Sequence, residues 1–336
     1  MAGAPNGGAE LFFERLAVAF QSAGVQQTAA LKAYEGRMAR LADANVPMMP
    51  CSFSPLLAPL TKWRLAREIR RTDTNIILSW MNRATQMTPK TGVPHVARLG
   101  GFYNLKYYRQ CDWLVANTRD IADYLIKEGW PAERVHYQVN FVPDGLIGPP
   151  YTGPNMNNQN RDGPIIAALG RLHPNKAFDS LIRAFAGLKT GTLWLAGTGP
   201  EEASLRALAD EIGVSSRVHF LGWHSDPQSI IRAADIFICP SRHEPFGNVI
   251  AEAMACGKPI VATASNGARE LIEDGVTGLL TPIDDSAALT GAIKTLTDAP
   301  KLAKKMATAA RKQWQHTLAP EKITREWIQF LAKVAG

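Results

Sequence analysis

Cysteine is scarce in this chain, and long apolar runs are missing from it. The 336 residues contain four scattered cysteines, Cys51, Cys111, Cys239 and Cys256, and no C-x-x-C pair. This spacing argues against a zinc site or a disulfide framework and favours buried thiols in a reducing compartment. No apolar run approaches the ~20 residues that a membrane-spanning helix needs.

The first residues, MAGAPNGG, also lack the basic start and apolar stretch of a signal peptide. We therefore expect a cytoplasmic protein. Apolar residues make up 46% of the chain and charged residues 20%, which is typical of a folded protein and excludes disorder. A length of 336 residues predicts two domains.

The charge is basic and unevenly distributed. The formal net charge is +7; residues 1–150 hold 17 Lys and Arg against 12 Asp and Glu, whereas residues 151–336 hold 20 against 18. A basic N-terminal half favours an anionic partner, which leaves a membrane, nucleic acid and a phosphorylated substrate as alternatives.

Residues 148–163 are rich in Pro, Gly and Asn and predict a linker between domains 1–147 and 164–315. After the linker, apolar runs such as PIIAALG, GTLWLAG and DIFICPS alternate with helical patterns, and the first half repeats this rhythm more faintly. The pattern predicts an α/β protein of two doubly wound domains that enclose a cleft. The last helix, within 316–336, is expected to pack back towards the N-terminal domain.

Two carboxylates flank a Phe-Gly pair in SRHEPFGNVIAEAM, where Glu244 falls in a loop after a strand and Glu252 falls in the next helix. Asn248 is the predicted N-cap of that helix. Either carboxylate could lack a binding role: a glutamate in a loop is often simply solvated, and a glutamate near a helix start interacts favourably with the helix dipole. However, Glu252 stands among alanines and Met254, and a buried carboxylate without hydrogen-bond partners costs several kcal/mol. A hydroxyl-bearing ligand would supply such partners.

Two cations lie where another strand gives way to a helix. In GRLHPNKAFDSL, Arg171 and Lys176 are placed to bind a diphosphate through charge-assisted hydrogen bonds, although single cations of this kind are often plain surface charges. The segment is not a Walker loop. AGTGPEE, which contains Gly199, indicates either approach of a phosphate or a simple tight turn.

Five motifs in order resemble the donor domain of family four retaining glycosyltransferases, which have the GT-B fold of two Rossmann-like domains. They are GRLHPNK, LAGTGPE, VHFLGW, ADIFICPSRHEPFGNVIAEAMACGKPIVAT and GVTGLL. The resemblance implies that Glu252 binds the nucleotide ribose, that Glu244 binds the donor sugar and that Arg171 and Lys176 neutralise the diphosphate. The remaining implied donor contacts are Gly7, Gly8, Gly170, Gly199, Leu221 near the base, Phe246, Gly247, Asn248 and Val249.

The match is weaker in the first half. PNGGAE resembles the family's first loop, but only Met1–Ala4 precede it, so the first strand is missing or shortened. The resemblance places Gly100 where family members often carry a histidine, and we expect His95 to be structural. The expected acceptor contacts are Arg98, Gly100 and Tyr103.

Two stretches interleave cations with aromatic residues. TKWRLAREIRR has five cations and one acid, with Trp63, Ala66 and Ile69 spaced to share a helix face, and GFYNLKYYRQ follows it. Both stretches suit the inner face of the plasma membrane or a phosphorylated lipid. Alternatively, they form solvated helix faces whose aromatic rings are buried.

The resemblance implies a hexosyltransferase-type enzyme that moves a sugar from a nucleotide diphosphate sugar to a glycan or glycolipid hydroxyl, with retention. It favours a UDP-sugar over a GDP-sugar and envelope or lipopolysaccharide synthesis as the setting. No D-x-D pair occurs in the site motifs, so we expect no metal and no further cofactor. A nucleotide-sugar hydrolase or epimerase remains open. An NAD-dependent oxidoreductase is disfavoured without G-x-G-x-x-G, and a nucleic-acid module without a known motif.

Overall fold

A computed structural model describes residues 1–5, 7–154 and 162–336. Its contacts divide the chain into two compact units. Unit 1 comprises Met1–Phe141 and Pro320–Gly336, and unit 2 comprises Val142–Ala319. Asn6 of the PNGGAE segment and residues 155–161 of the predicted linker lie outside the described residues.

Unit 1 contains two parallel sheets within its described residues. One sheet pairs β1 with β2, and the other has the strand order β3-β4-β5-β6. The strands are β1 Ala29–Leu31, β2 Met48–Pro50, β3 Ile77–Trp80, β4 His95–Leu99, β5 Trp113–Ala116 and β6 Val135–Tyr137. Its helices are α1 Gly8–Ser22, α2 Glu35–Asp43, α3 Ala58–Arg71, α4 Met81–Met87, α5 Arg119–Lys127 and α13 Pro320–Ala335.

Local sequence signals set the ends of helix α5. The Thr118 hydroxyl accepts a hydrogen bond from the backbone N–H of Ile121 over 3.3 Å, as a threonine N-cap does. Gly129 adopts a left-handed φ of 91° just after the helix, where a side chain would be strained. A threonine before a helix and a glycine after it are common sequence signals for helix ends.

The first residue pairs with β1. The Met1 ammonium donates to the Ala30 carbonyl over 2.6 Å, and the Met1 carbonyl accepts from the Lys32 N–H over 3.0 Å. Burial, aided by the nearby Arg37 cation, lowers the pKa of this ammonium to about 5. Residues 1–4 form no strand of their own, but Met1 continues the hydrogen bonding beside β1.

Aromatic side chains fill much of the interior of unit 1. Phe12 of α1 packs against Phe141 with ring centroids 5.3 Å apart and against Trp80 at 5.8 Å. Phe330 of α13 stacks on His136 at 3.8 Å. Trp327 is fully buried. Helix α13 is therefore part of the packed body of unit 1.

Unit 2 contains one parallel sheet within its described residues, with the order β12-β11-β10-β7-β8-β9. The strands are β7 Ile165–Leu169, β8 Thr192–Ala196, β9 Val218–Gly222, β10 Ile236–Cys239, β11 Ile260–Thr263 and β12 Leu279–Thr281. The helices are α6 Phe178–Ala186, α7 Glu202–Glu211, α8 Pro227–Ala233, α9 Asn248–Ala255, α10 Asn266–Leu271, α11 Ser286–Asp298 and α12 Pro300–Thr317.

The central strands of unit 2 are buried along their whole length. Every residue of β7, β8, β10 and β11 is buried, as the unbroken apolar runs of the sequence predict for a parallel sheet with helices on both faces. Leu181, Ile182 and Phe185 of α6 join the same core. This core fixes the strand ends from which the site loops leave.

The strand order of unit 2 reverses between β7 and β10. From β7 the chain moves outwards to β8 and β9, and it then returns to the other side of β7 as β10. The loops that follow β7 and β10 consequently leave from adjacent carboxyl ends and run in opposite directions. In open parallel sheets, ligands bind at this kind of topological switch point.

Candidate functional site

The two loops at the switch point carry the charged residues that the sequence singles out. Arg171 follows β7 in an exposed position, and Lys176 ends a 3-10 turn, Pro174–Lys176, just before α6. Glu244 lies in the loop that follows β10. The fold therefore brings Lys176 and Glu244 together across 68 positions of sequence.

Lys176 and Glu244 form an ion pair in this structure, between Nζ and Oε2. The Ser241 hydroxyl also donates to Glu244 Oε2, over 3.3 Å. Burial on its own lowers the pKa of Lys176, but Glu244, helped by Cys239, more than offsets it, so the pKa is raised. An ammonium that is charged at neutral pH thus lies at the switch point beside an oriented carboxylate.

Arg242 connects the two loops and was not singled out from the sequence. Its Nη1 and Nη2 donate to the two carboxylate oxygens of Asp179 over 3.0 and 2.7 Å, and its Nε donates to Asp284 over 2.7 Å. Nη1 also donates to the Pro174 carbonyl over 2.7 Å, and the Arg242 backbone N–H donates to the Asn175 carbonyl over 2.9 Å. These bonds hold the turn that carries Lys176 against the loop that carries Glu244.

Helix α9 starts at the end of the Glu244 loop. Gly247 is its N-cap, with a left-handed φ of 89°, and Asn248 is its first residue, so the predicted Asn248 cap is wrong by one position. The left-handed backbone explains the difference, because glycine adopts it without strain. Phe246 is buried, Val249 is partly exposed, and Glu252 is 2% exposed one turn into the helix.

The start of α10 packs on the same loop. The Gly267 N–H donates to the Glu244 carbonyl over 2.8 Å. A Cβ atom at Gly267 would lie 2.3 Å from the Phe246 carbonyl oxygen and 2.8 Å from that of Glu244. Only glycine permits this approach, so Gly267 packs directly against the backbone that connects Glu244 with Glu252 and supports it.

The other predicted donor residues lie on neighbouring strand ends. Gly170 follows β7, and Gly199 lies in the loop after β8, whose Thr198 carbonyl accepts from the Leu172 N–H over 3.0 Å. Leu221 is partly exposed near the end of edge strand β9. The loops after β7 and β8 are thus tied together by their backbones.

The predicted residues of unit 1 lie at the ends of its own elements. Gly7 is the N-cap of α1 and Gly8 is its first residue. Gly100 follows β4, and Tyr103 lies partly exposed three positions later. His95 is buried in β4 and hydrogen-bonds Ser79 over 2.8 Å, and burial lowers its pKa to about 4, as expected of a structural histidine.

Arg98 is 1% exposed and lies inside unit 1. One of its nitrogens donates to Asn140 over 2.5 Å, and its guanidinium carbon lies 5.0 Å from the Phe12 ring centroid and 4.9 Å from that of Trp80. Burial lowers its pKa to about 10, which still leaves it charged at neutral pH. In this structure Arg98 contacts core side chains.

Metal ligands do not cluster in the described part of the chain: within it, no group of three or more His, Cys, Asp or Glu residues could hold an ion. Arg171, Lys176 and Glu244 are charged side chains of the unit 2 site. A cation paired with a carboxylate, next to helix α9, can bind an anionic group and a hydroxyl side by side.

Comparison with known proteins identifies the family. The profile of the family described as glycosyl transferases group 1 matches residues 154–313. The lipopolysaccharide core biosynthesis glycosyltransferase LpsE of Rhizobium meliloti is 32% identical over 335 residues, which cover 97% of this chain and 96% of LpsE. The chain belongs to the group 1 glycosyltransferases.

Other relatives of this glycosyltransferase extend the comparison. The lipopolysaccharide core biosynthesis glycosyltransferase LpsD, also of Rhizobium meliloti, is 29% identical over 339 residues, covering 96% of this chain and 94% of LpsD. A solved glycosyltransferase from Rickettsia africae superposes with a TM-score of 0.87 at 19% identity, covering 99% and 97% of the two chains.

HepE of Anabaena, solved in complex with UDP-glucose, superposes on the glycosyltransferase with a TM-score of 0.84 at 24% identity, covering 99% and 98%. At these identities the solved structures bear on the fold alone. They agree with the alternating strands and helices of both units, and the predicted GT-B fold is confirmed. The predicted enzyme class, a glycosyltransferase, is confirmed by the family match and the relatives.

Proposed function

We propose that this glycosyltransferase moves a sugar from a nucleotide diphosphate sugar to a hydroxyl of a glycan or glycolipid in lipopolysaccharide core synthesis. The observation that carries the proposal is the pairing of Lys176 with Glu244 at the switch point of unit 2. The names of LpsE and LpsD support the setting. HepE, solved with UDP-glucose, favours a UDP-sugar over a GDP-sugar as donor.

The donor is assigned to unit 2, with Glu244 on the sugar hydroxyls and Glu252 on the ribose. Glu252 is nearly inaccessible in this structure, so the ribose would have to reach it at the start of α9. Lys176 and Arg171 neutralise the diphosphate, and the N–H groups of the first turn of α9 add partial positive charge.

Binding of the donor changes the partner of Lys176. In the free enzyme the ammonium is neutralised by Glu244. A diphosphate brings more negative charge and more acceptor oxygens than one carboxylate, so it draws the ammonium away and leaves Glu244 to accept from sugar hydroxyls. The ion pair therefore holds both side chains near their working positions before the donor arrives.

Transfer proceeds with retention and without a protein nucleophile. The bond between the anomeric carbon and the diphosphate oxygen breaks, and the acceptor oxygen bonds to that carbon from the same face. The acceptor proton passes to the departing diphosphate. Catalysis is then mainly electrostatic, because Lys176 and Arg171 stabilise charge that develops on the leaving group, and no metal is required.

Unit 1 is assigned to the acceptor. Gly7 and Gly8, at the start of α1, are instead assigned to the donor phosphates, because glycine allows close approach of the backbone. Tyr103 and Gly100 lie beyond the carboxyl end of β4, the edge at which parallel sheets bind ligands. Arg98, which is buried, contributes positive charge near Gly100 and Tyr103.

We also propose that the enzyme is cytoplasmic and docks on the inner leaflet through α3 and the turn before it. Leu56 is 91% exposed, and Trp63, Leu60 and Leu57 are 55, 51 and 45% exposed. The five cations of α3 are on the same helix. Among the described residues, no helix has the length and apolarity to cross a bilayer.

The second basic-aromatic stretch has a different environment. Tyr108 is fully buried, and Tyr103 and Tyr107 pack against the core cluster that contains Leu114. Most of its aromatic rings are therefore core residues, as the alternative interpretation of the sequence allowed. The membrane proposal consequently rests on α3, with Trp63 outside the packed face.

We expect flotation with vesicles to depend on anionic lipid. The enzyme should float with vesicles of phosphatidylcholine and phosphatidylglycerol but remain unbound with phosphatidylcholine alone, because exposed cations attract anionic headgroups while the apolar residues insert. The double variant Leu56→Ser, Trp63→Ser should lose most binding. The matched control is Ile283→Ser, since Ile283 is a 42% exposed apolar residue of unit 2. Equal flotation of both variants would exclude α3 as the docking element.

We expect UDP and a UDP-sugar to raise the melting temperature, since a ligand that binds only the folded state stabilises it. The Glu252→Gln variant should weaken UDP binding roughly tenfold or more in calorimetry, because an amide replaces a charged acceptor for ribose hydroxyls. Analysis of products with and without acceptor separates transfer from hydrolysis or epimerisation. Consumption of the donor at the same rate without acceptor would contradict transfer, and unchanged UDP binding by the variant would contradict the role of Glu252.

A further inference from the structure

A depression of about 460 Å³ lies in unit 1 and is lined by none of the residues of the charged site of unit 2. Residues 2–5, Lys32 and Tyr34, residues 81–83 and Tyr103 line it. Lys32, residues 81–83 and Tyr103 come directly or shortly after the carboxyl ends of β1, β3 and β4. In each of the two sheets this is the end at which parallel strands bind ligands, and the volume lies in the usual range for small-molecule sites, about 300–1,000 Å³.

The charge in this depression is positive. Lys32 and Arg83 line it, no described lining residue is acidic, and neither cation forms an ion pair within the described residues. Of the nearby carboxylates, Glu14 pairs with Arg37 and Arg40, whereas Glu10 bonds to the lining residue Ala4. Glu10, which accepts from the Ala4 N–H over 2.9 Å, is 8% exposed. Two cations without acidic partners favour an anionic ligand.

Asn82 is fixed in orientation by a core residue. The Tyr108 hydroxyl lies 2.6 Å from Asn82 Oδ1, and Tyr108 is fully buried. Burial raises the pKa of Tyr108 far above neutrality, so its hydroxyl is protonated and donates to the amide oxygen. The amide NH₂ of Asn82 therefore remains a donor for a ligand in the depression.

The depression also has two aromatic rings. Tyr34 is partly exposed, with Lys32 Nζ 5.1 Å from its ring centroid, and Tyr103 is also partly exposed. Burial raises the pKa of Tyr103, so its hydroxyl is a neutral donor and acceptor. Tyrosines of this kind give an apolar face for the C–H groups of a sugar ring and a polar tip for its hydroxyls.

We propose that this depression binds the acceptor as an anionic saccharide, with a phosphate or carboxylate against Lys32 and Arg83 and the ring between Tyr34 and Tyr103. The amide of Asn82 donates to a ring hydroxyl. The proposal rests on the proposed function, since it names the substrate class of the same enzyme. It differs from the sequence expectation of Arg98 as an acceptor contact, because the cations that line the depression are Lys32 and Arg83.

The test is saturation-transfer NMR and calorimetry on the full chain with glucose 6-phosphate, glucuronate and glucose. Both anionic sugars should bind at least about tenfold more tightly than glucose, and added salt should weaken the binding of the anionic sugars. The ratio of the two anionic affinities distinguishes a phosphate from a carboxylate site. Lys32→Met and Arg83→Met should each lose about tenfold or more in affinity for the preferred anion, whereas the control Lys301→Met, an exposed lysine of unit 2, should lose none.

UDP affinity is measured on the same samples. The Lys32→Met and Arg83→Met variants should retain it, which separates the depression from the donor site. Equal binding of glucose and the anionic sugars, binding of none of the three, or unchanged anion binding in a variant that combines Lys32→Met with Arg83→Met would each overturn the proposal. If UDP and UDP-sugars fail to bind while the anionic sugars bind as expected, the proposed function fails and the anion site stands.

Discussion

Replacing Lys176 by methionine is expected to lower the kcat of sugar transfer by roughly 10²–10³-fold while the fold persists. Methionine has an unbranched side chain, as lysine has, but it cannot donate a hydrogen bond to the departing diphosphate. Loss of one preorganised donor to a developing negative charge costs ~2.7–4 kcal/mol in other enzymes. Steady-state kinetics with a UDP-sugar would measure the effect, and circular dichroism would check the fold.

A suitable control is Lys189→Met. Lys189 is exposed shortly after α6, and its replacement removes the same charge from the same unit. Near wild-type turnover of Lys176→Met would rule out the diphosphate role. A loss equal to that of Lys189→Met would attribute the effect to net charge alone.

The ion pair also predicts how stability responds to pH. The folded-state pKa of Lys176 is raised, so its contribution to stability is fully present below the unfolded value of about 10.4 and is lost only as pH rises through the higher folded value. Between pH 6 and 9, Lys176 therefore adds no pH dependence to the free energy of unfolding. A pH dependence of transfer in that window has another source.

Unit 2 was predictable from the sequence because its local signals agree with its fold. The apolar runs of β7, β8, β10 and β11 are long enough to distinguish buried strands, and the loops between them contain the glycines and charges from which ligand contacts were predicted. The order in which the strands join was not encoded in any single segment. The switch point between β7 and β10 emerges only from the sheet topology.

Unit 1 was harder to predict because its elements are short. Strands β1 and β2 have three residues each, and α2 and α4 have nine and seven, so their periodicity is too brief to recognise. The burial of Arg98 was also missed. Its strand is buried on both faces, so the alternation that identifies an outward-facing side chain is absent.

Arg242 illustrates a contact that no local pattern could reveal. Its two carboxylate partners, Asp179 and Asp284, are 63 and 42 positions away in sequence. The loop sequence alone shows an arginine between Ser241 and His243, which favours a solvated charge. Only the folded chain shows that it holds the turn preceding α6.

Replacing Gly267 by alanine is expected to reduce stability by roughly 1–3 kcal/mol and donor affinity by about tenfold or more. The added methyl would lie 2.3 Å from the Phe246 carbonyl oxygen, a distance that backbone atoms cannot tolerate. Either α10 or the loop must move, and the Gly267 N–H bond to Glu244 then lengthens. Urea unfolding and UDP calorimetry measure the two effects.

The matched control is Gly291→Ala, because Gly291 lies in the interior of α11 and nothing is within 4 Å of its added Cβ. Alanine there should stabilise the enzyme by about 0.4–1 kcal/mol and leave UDP affinity unchanged, since it favours the helix and restricts the unfolded chain. The same substitution thus has opposite signs at two glycines, according to what the new methyl meets. If Gly267→Ala were as benign as Gly291→Ala, the loop between Glu244 and Asn248 would not depend on α10 for its position.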